Sequence, residues 1–232
     1  MSGLENFLAF AIHRGGNVSS EGVALKHAVI AGWTGRDAAA VEHHIAELEK
    51  IGVPRPASVP IFYRVAATRI TSAEMVEVAG EESSGEVEFV LVQHGGRLHV
   101  GVGSDHTDRK VETYNVTVSK QMCEKPIAPS LWAYDDVKPH WDRLILRSFA
   151  CPGRERTLYQ EGPVTAMRAP EELIDLYAGA KGLTEGTVMF CGTLAAQGGI
   201  RPAPRFEFEL EDPVRGLRIS HGYDIVPLPV MG

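Results

Sequence analysis

Glycine and proline interrupt this chain too often for long helices to fit between them. With 24 glycines and 14 prolines in 232 residues, the apolar runs left over are short and rich in β-branched side chains. LHVGVGS (98–104), YNVTVS (114–119), LILRSF (144–149), GTVMFCG (186–192) and FEFELED (206–212) each read as a strand. FEFELE alternates strictly, with Phe206, Phe208 and Leu210 on one face and Glu207, Glu209 and Glu211 on the other, as in a half-exposed antiparallel strand. Two segments read as helices. DAAAVEHHIAELEKI (37–51) opens on an acid and closes at Gly52 and Pro54; PEELIDLYA (170–178) has Pro170 in its first turn, followed by two acids that suit the helix dipole. VPRPASVP (53–60) is a rigid connector rather than a boundary. The expectation is a mixed α/β, β-rich single domain over 1–232, with a few short helices.

Composition narrows the partners. The formal charge of −7 comes from scattered residues of both signs, and no basic stripe offers phosphate contacts, so nucleic acid is not expected. Cys123, Cys151 and Cys191 are far apart and odd in number, which speaks against a disulfide framework or zinc cluster and for a reducing cytoplasm. MSGLENFLAFAIHRGG lacks the basic start of a signal peptide and the length of a membrane span, so a cytoplasmic protein without membrane contact is expected.

The chemistry concentrates in GEVEFVLVQHGGRLHVGVGSDHTDR (85–109). Along a strand Glu86 and Glu88 project to one side, about 6–7 Å apart, while Val87, Phe89 and Leu91 face the other way. Val90 and Val92 continue the glutamate face, so that face is partly covered too, and two carboxylates there repel unless a proton or a cation intervenes. Asp105 follows the turn HGGR (94–97) and a second strand, and a hairpin returns it towards the pair. Three oxygen ligands without cysteine suit Mg²⁺, Mn²⁺ or Ca²⁺ rather than zinc. The plain alternative is a solvated strand face. On the helix, Val41, Ile45, Leu48 and Ile51 form an apolar stripe; His44 falls on it, His43 points nearly opposite, and Glu47 lies one turn along from His44. An imidazole beside a carboxylate is how a general base is oriented, although a lone histidine on such a face also reads as a satisfied core residue.

HIAE (44–47), EVE (86–88), SDHTDR (104–109), SKQMCEKPIAPSLW (119–132), APEELIDLYAGAKGLTEGTVMFCGTLAAQGG (169–199) and FEFELEDPVRGLRI (206–219) stand in this order. The series resembles the fumarylacetoacetate hydrolase family, whose members carry H-x-x-E, E-x-E, N-D-x-S-A-R-D, K-S-F-D…P-x-G-P-W and P-E-L-I…L-x-x-G-D-V-I-x-T-G-T-P-x-G. The resemblance implies a β-roll of mixed sheets, commonly a homodimer. N-terminal strands would occupy 1–30 and the catalytic region 31–232. It implies Glu86, Glu88 and Asp105 as ligands of Mg²⁺ or Mn²⁺, His44 with Glu47 as the dyad that activates water, and Lys120 on a substrate carboxylate or carbonyl oxygen. Thr193, Arg64 and Arg109 would bind substrate; Arg64 stands for a family lysine, where a guanidinium favours a bidentate clamp. The departures are a short gap between Glu88 and Asp105, Leu194 in place of the proline of G-T-P, and Thr107, Asp108 and Arg109 in place of Ser-Ala-Arg.

A cation held by three carboxylates keeps positions open to chelate a 2-oxo acid and stabilise the enolate formed as a C–C bond breaks. Three functions follow. One is a metal-dependent hydrolase cleaving a C–C bond in a small 2-oxo or β-diketo acid. The second is a lyase, decarboxylating or dehydrating a 2-oxo or sugar acid. The third is a non-catalytic protein of the same fold that binds a small carboxylic acid, against which His44 and Glu47 speak. GTLAAQGG (192–199) lacks the ending of a phosphate loop, no G-x-S-x-G elbow occurs, and the histidine pair has no H-E-x-x-H context.

Overall fold

The structure, a computed structural model, describes residues 6–50, 55–153 and 155–231, without the side chains of residues 44, 47 and 48. Its strands are, in chain order, β1 (Asn6–Arg14), β2 (Asn17–Leu25), β3 (His27–Gly32), β4 (Ile61–Val65), β5 (Ile70–Thr71), β6 (Met75–Ala79), β7 (Ser83–Ser84), β8 (Val87–His94), β9 (Arg97–Ser104), β10 (Thr107–Asp108), β11 (Lys125–Pro126), β12 (Ser130–Ala133), β13 (Ile145–Ala150), β14 (Thr157–Pro163), β15 (Thr187–Thr193), β16 (Arg205–Asp212) and β17 (Leu217–Leu228). The α-helices are α1 (Ala38–Lys50), α2 (Arg109–Glu112), α3 (Val116–Met122), α4 (Tyr134–Val137) and α5 (Pro170–Ala178).

Eight strands form a mixed sheet in the order β2-β1-β12-β9-β8-β15-β3-β4, and five form a second in the order β14-β13-β16-β17-β6. Most neighbours are antiparallel; β1 with β12, β15 with β3, and β17 with β6 run parallel. The large sheet's central strands β8, β9 and β15 are buried on both faces over most of their length. Val87, Phe89 and Leu91 of β8 pack with Phe206, Phe208 and Leu210 of β16 in one core, between the two sheets. Val90 and Val92 belong to a second core, built with Phe10, Ile12, Ile30 and Phe190 from other strands of the same sheet. Strands that all send side chains into one cluster must curl around it. Glycine permits that at β9: a Cβ on Gly103 would stand 2.7 Å from the Phe190 ring and 2.8 Å from the Pro126 carbonyl oxygen. The glutamate face of β8 is thus an interior face, more enclosed than alternation alone implied.

Local chemistry explains most boundaries. Asp37 caps α1, its carboxylate accepting the N–H groups of Ala39 at 3.0 Å and Ala40 at 3.1 Å. α5 spans the residues expected, and Gly179, at φ 61°, ends it. One strand expectation was wrong. YNVTVS is mostly helix α3, because Asn115 accepts the Val118 N–H at 3.0 Å and starts a turn. Two valines at period two do not outweigh a cap when Val118 stays exposed. The consequence is functional: the helix buries Ser119 and Lys120.

Candidate metal centre

A tight hairpin assembles the site. Gly95 and Gly96 both have positive φ, 58° and 70°, the requirement of a two-residue turn matching strand twist. Register then runs from His94 opposite Arg97 to Val87 opposite Ser104, and the Asp105 N–H donates to the Glu86 carbonyl at 2.9 Å. Two eight-residue arms and a minimal turn therefore separate Glu86 from Asp105, which sets the short Glu88-to-Asp105 spacing. Oxygens of Glu86, Glu88 and Asp105 lie within 4.8 Å of one another. Among the described residues this is the one such group of three potential metal ligands.

Each carboxylate is held differently. Glu88, 2 % exposed, accepts the Gly192 N–H at 2.6 Å. That donor is free because the pairing of β15 with β8 shifts between Phe190 and Thr193. Position 192 demands glycine: φ is 97°, and a Cβ would fall 1.7 Å from Thr34 Oγ1. Burial, then the Asp105 and Glu86 charges, push the Glu88 carboxyl well above its ordinary range. Asp105 is fully buried; burial alone would raise it, but Lys120 and Lys125 outweigh that and hold it ionised well below the usual range. Lys120 donates to Asp105 Oδ2 and stands 4.0 Å from Glu86 Oε2. Lys125 Nζ lies 2.9 Å from Asp105 Oδ1, out of line for a hydrogen bond, and donates instead to the His106 carbonyl.

The surroundings lock this geometry. Val87, between the two glutamates, donates its N–H to Gln160 Oε1 at 3.0 Å and accepts the Thr193 hydroxyl at 2.8 Å. His106, next to Asp105, is fully buried between the Tyr223 hydroxyl at 2.8 Å and Ser83 Oγ at 2.9 Å. Burial, then the Lys125 and Arg109 charges, push His106 down to about 3, so it is neutral. Tyr63 presents its ring to Lys120, 5.8 Å from Nζ.

Of the residues named from sequence, Glu86, Glu88, Asp105 and Lys120 converge. Arg109 joins them, but its guanidinium is committed to Ser84 at 2.7 Å, Glu112 at 2.9 Å and Glu86 at 3.1 Å. Thr193 stands across from Glu88, its hydroxyl shared between Val87 and Gln160. Arg64 does not join them; it is exposed and meets Tyr177 at 3.3 Å and His27 at 3.2 Å. His44 and Glu47 belong to α1, and their side chains lie outside the described residues. Sequence reasoning missed Lys125, Gly192, Gln160 and Tyr63. A glycine closing the strand run GTVMFCG was the one available signal.

The donor set fits a hard divalent cation. The oxygens are all carboxylate, two of the three residues are buried, and burial followed by mutual repulsion raises Glu88.

This β-rich roll of mixed sheets with a few short helices matches the fold of fumarylacetoacetate hydrolase family proteins. Yeast ynq8, a member of that family, matches with TM-score 0.62 and 16 % identity, over 89 % of this chain and 95 % of its own. A 2-keto-3-deoxy-D-arabinonate dehydratase complexed with magnesium and 2,5-dioxopentanoate matches with TM-score 0.63 and 16 % identity, over 93 % and 86 %. No curated protein matches by sequence. The chain itself belongs to the family described as Protein of unknown function (DUF2848), whose model matches residues 31–223. No helix among the described residues is long and apolar enough to cross a membrane.

Proposed function

We propose that this chain is a metal-dependent enzyme of small 2-oxo or β-diketo acids, and that it hydrolyses a C–C bond. The observation that supports this most is the convergence of Glu86, Glu88 and Asp105, with Lys120 and Tyr63 beside them. Glu86, Glu88 and Asp105 would hold Mg²⁺ or Mn²⁺, with Ca²⁺ the third hard ion the donors suit. When bound, the ion supplies Lewis-acid stabilisation of negative charge developing on a substrate oxygen. Lys120 binds the substrate carboxylate, and its burial strengthens that contact. Arg109 and Thr193 act indirectly, by orienting Glu86 and the strand between the glutamates. His44, with Glu47, takes the proton of the attacking water, whose hydroxyl adds to the acyl carbon while the departing carbon gains the proton.

A lyase is the second reading, favoured by the likeness in fold to a magnesium-bound dehydratase. Both readings are tested together. Chelator-treated protein is melted with and without Mg²⁺ or Mn²⁺, then assayed against an acylpyruvate, oxaloacetate and a 2-keto-3-deoxy sugar acid. The expected result is a metal-dependent rise in Tm, since a ligand of the folded state alone stabilises it, and turnover of the acylpyruvate that His44→Ala abolishes. A decarboxylase keeps substantial activity in that variant, and a dehydratase is told apart by turnover of the sugar acid in place of the acylpyruvate. No Tm response to either ion, with no turnover, refutes the metal enzyme.

A further inference from the structure

Asp105 has a lysine on each oxygen, and the two lysines are anchored unequally. Lys125 sits on β11, paired in parallel with β5, is 0 % exposed, and has a second fixed acceptor in the His106 carbonyl. Lys120 reaches in from the seven-residue helix α3 and is 7 % exposed. Among the described residues its other neighbours are Glu86 at 4.0 Å and the Tyr63 face. Lys120 therefore contacts two of the three carboxylates, and its ammonium competes with any cation for the same oxygens.

We propose that Lys125 is the fixed counter-ion that orients Asp105, and that Lys120 is the exchangeable one, leaving Asp105 when a divalent cation takes the three carboxylates. This rests on the metal reading above. A divalent ion and an ammonium crowded against the same buried carboxylate repel each other, and the lysine with fewer anchors yields. Released beside the Tyr63 ring, the Lys120 ammonium becomes available to an anionic substrate, so the ion is bound first and the acid second. Lys125 acts through Asp105 and is a positioning residue.

The test uses the full chain with Mn²⁺ alone as probe. Each lysine's reactivity towards acetic anhydride is measured by mass spectrometry, with and without the ion, alongside Mn²⁺ affinity by calorimetry. The expected result is a several-fold rise in Lys120 labelling on adding Mn²⁺, with Lys125 unlabelled throughout. Lys120→Met is expected to tighten Mn²⁺ binding about tenfold or more, and Lys125→Met to weaken it about 10–100-fold, the usual effect of losing a group that orients a ligand. A purely structural lysine would not give opposite signs at the two positions. If Lys125→Met fails to fold, the double variant Asp105→Asn with Lys125→Met is expected to recover the fold by removing both buried charges, and its failure to do so overturns the counter-ion assignment. Wild type that binds no Mn²⁺ sinks the metal reading itself. Mn²⁺ binding that leaves Lys120 protected, or is weakened by Lys120→Met, sinks only the exchange.

Discussion

Two places in the molecule crowd acids against bases, and they resolve the crowding in opposite ways. On the outer face of the five-stranded sheet, Glu207, Glu209 and Glu211 of β16 interleave with arginines. Arg147 meets Glu161 at 2.6 Å and Glu209 at 3.3 Å and also pairs with Glu211. Arg156 meets Glu207 at 2.8 Å and Glu209 at 3.3 Å; Arg218 meets Glu209 at 3.4 Å and Glu211 at 3.5 Å. Guanidinium forks reach several acids each, so the carboxylates are spaced along a ladder and every one is paired. At the hairpin, two compact ammonium groups meet Asp105, Lys120 also stands 4.0 Å from Glu86, and Arg109 takes the other Glu86 oxygen. Among the described residues Glu88 has a backbone hydrogen-bond partner only, and oxygens of the three carboxylates lie within 4.8 Å of one another. Arginines between acids make a scaffold; acids gathered on one another, with one of them left to a backbone N–H, make a group that could hold one more cation.

The strongest test of that contrast removes one acid from each cluster. Glu88→Gln or Asp105→Asn is expected to abolish the Mn²⁺ response in Tm and to lower turnover by at least about 10²–10³-fold, the usual scale for one electrostatic contact. Glu209→Gln leaves both intact. It costs instead about 1–3 kcal/mol in urea unfolding, because a carboxylate 3 % exposed is lost from three arginines that stay partly solvated. A metal response lost in Glu209→Gln would mean that the two regions are not independent. Next in size is Gly192→Ala, which sets a Cβ against Thr34 and disturbs the N–H that Glu88 accepts. About a tenfold loss of Mn²⁺ affinity is expected, with about 1–3 kcal/mol of stability. Unchanged affinity in a folded protein would show that this amide does not orient Glu88.

The acidic face of the ladder was legible in sequence and the site only partly so, and the reason is the same geometry. Strict alternation in FEFELE fixes which side chains share a face, while the arginines that pair them come from other segments and only the structure shows them. The hairpin was equally readable, since two glycines between apolar arms set its register and hence the place of Asp105 opposite Glu86. Alternation showed the glutamate face of β8 as partly covered but not how fully, because the second core draws one or two residues from each of many strands. Nor could it show Lys125. EKP (124–126) has no periodicity, and its ammonium reaches Asp105 only through a two-residue parallel pairing with β5. Arg64 shows the converse. The motif alignment puts it near substrate, yet on a strand the neighbour on the other face, Tyr63, is the one turned towards Lys120.

The smallest expected effect concerns acid. Glu211's carboxyl is lowered from its ordinary 4.5 chiefly by its hydrogen bond from Arg147, against the opposing effect of burial. A carboxylate that is easier to ionise folded than unfolded binds fewer protons in the folded state. Its contribution to stability is therefore complete above the unfolded value, near pH 4.5, and fades as pH falls through the lower folded value. Glu211→Gln removes that contribution, so its stability loss relative to wild type should be present at neutral pH and shrink on acidification below about 4.5. Because the group is well solvated, the difference stays within the range of surface ion pairs, about 0.2–1 kcal/mol, and falls with added salt. The converging site behaves otherwise. Asp105 is fully buried, so added salt screens it far less. Urea midpoints of Glu211→Gln and Asp105→Asn, each referred to wild type at low and high salt, separate the two. A salt-insensitive Glu211 would place the ladder in the same enclosed class as the carboxylate cluster and remove the distinction between them.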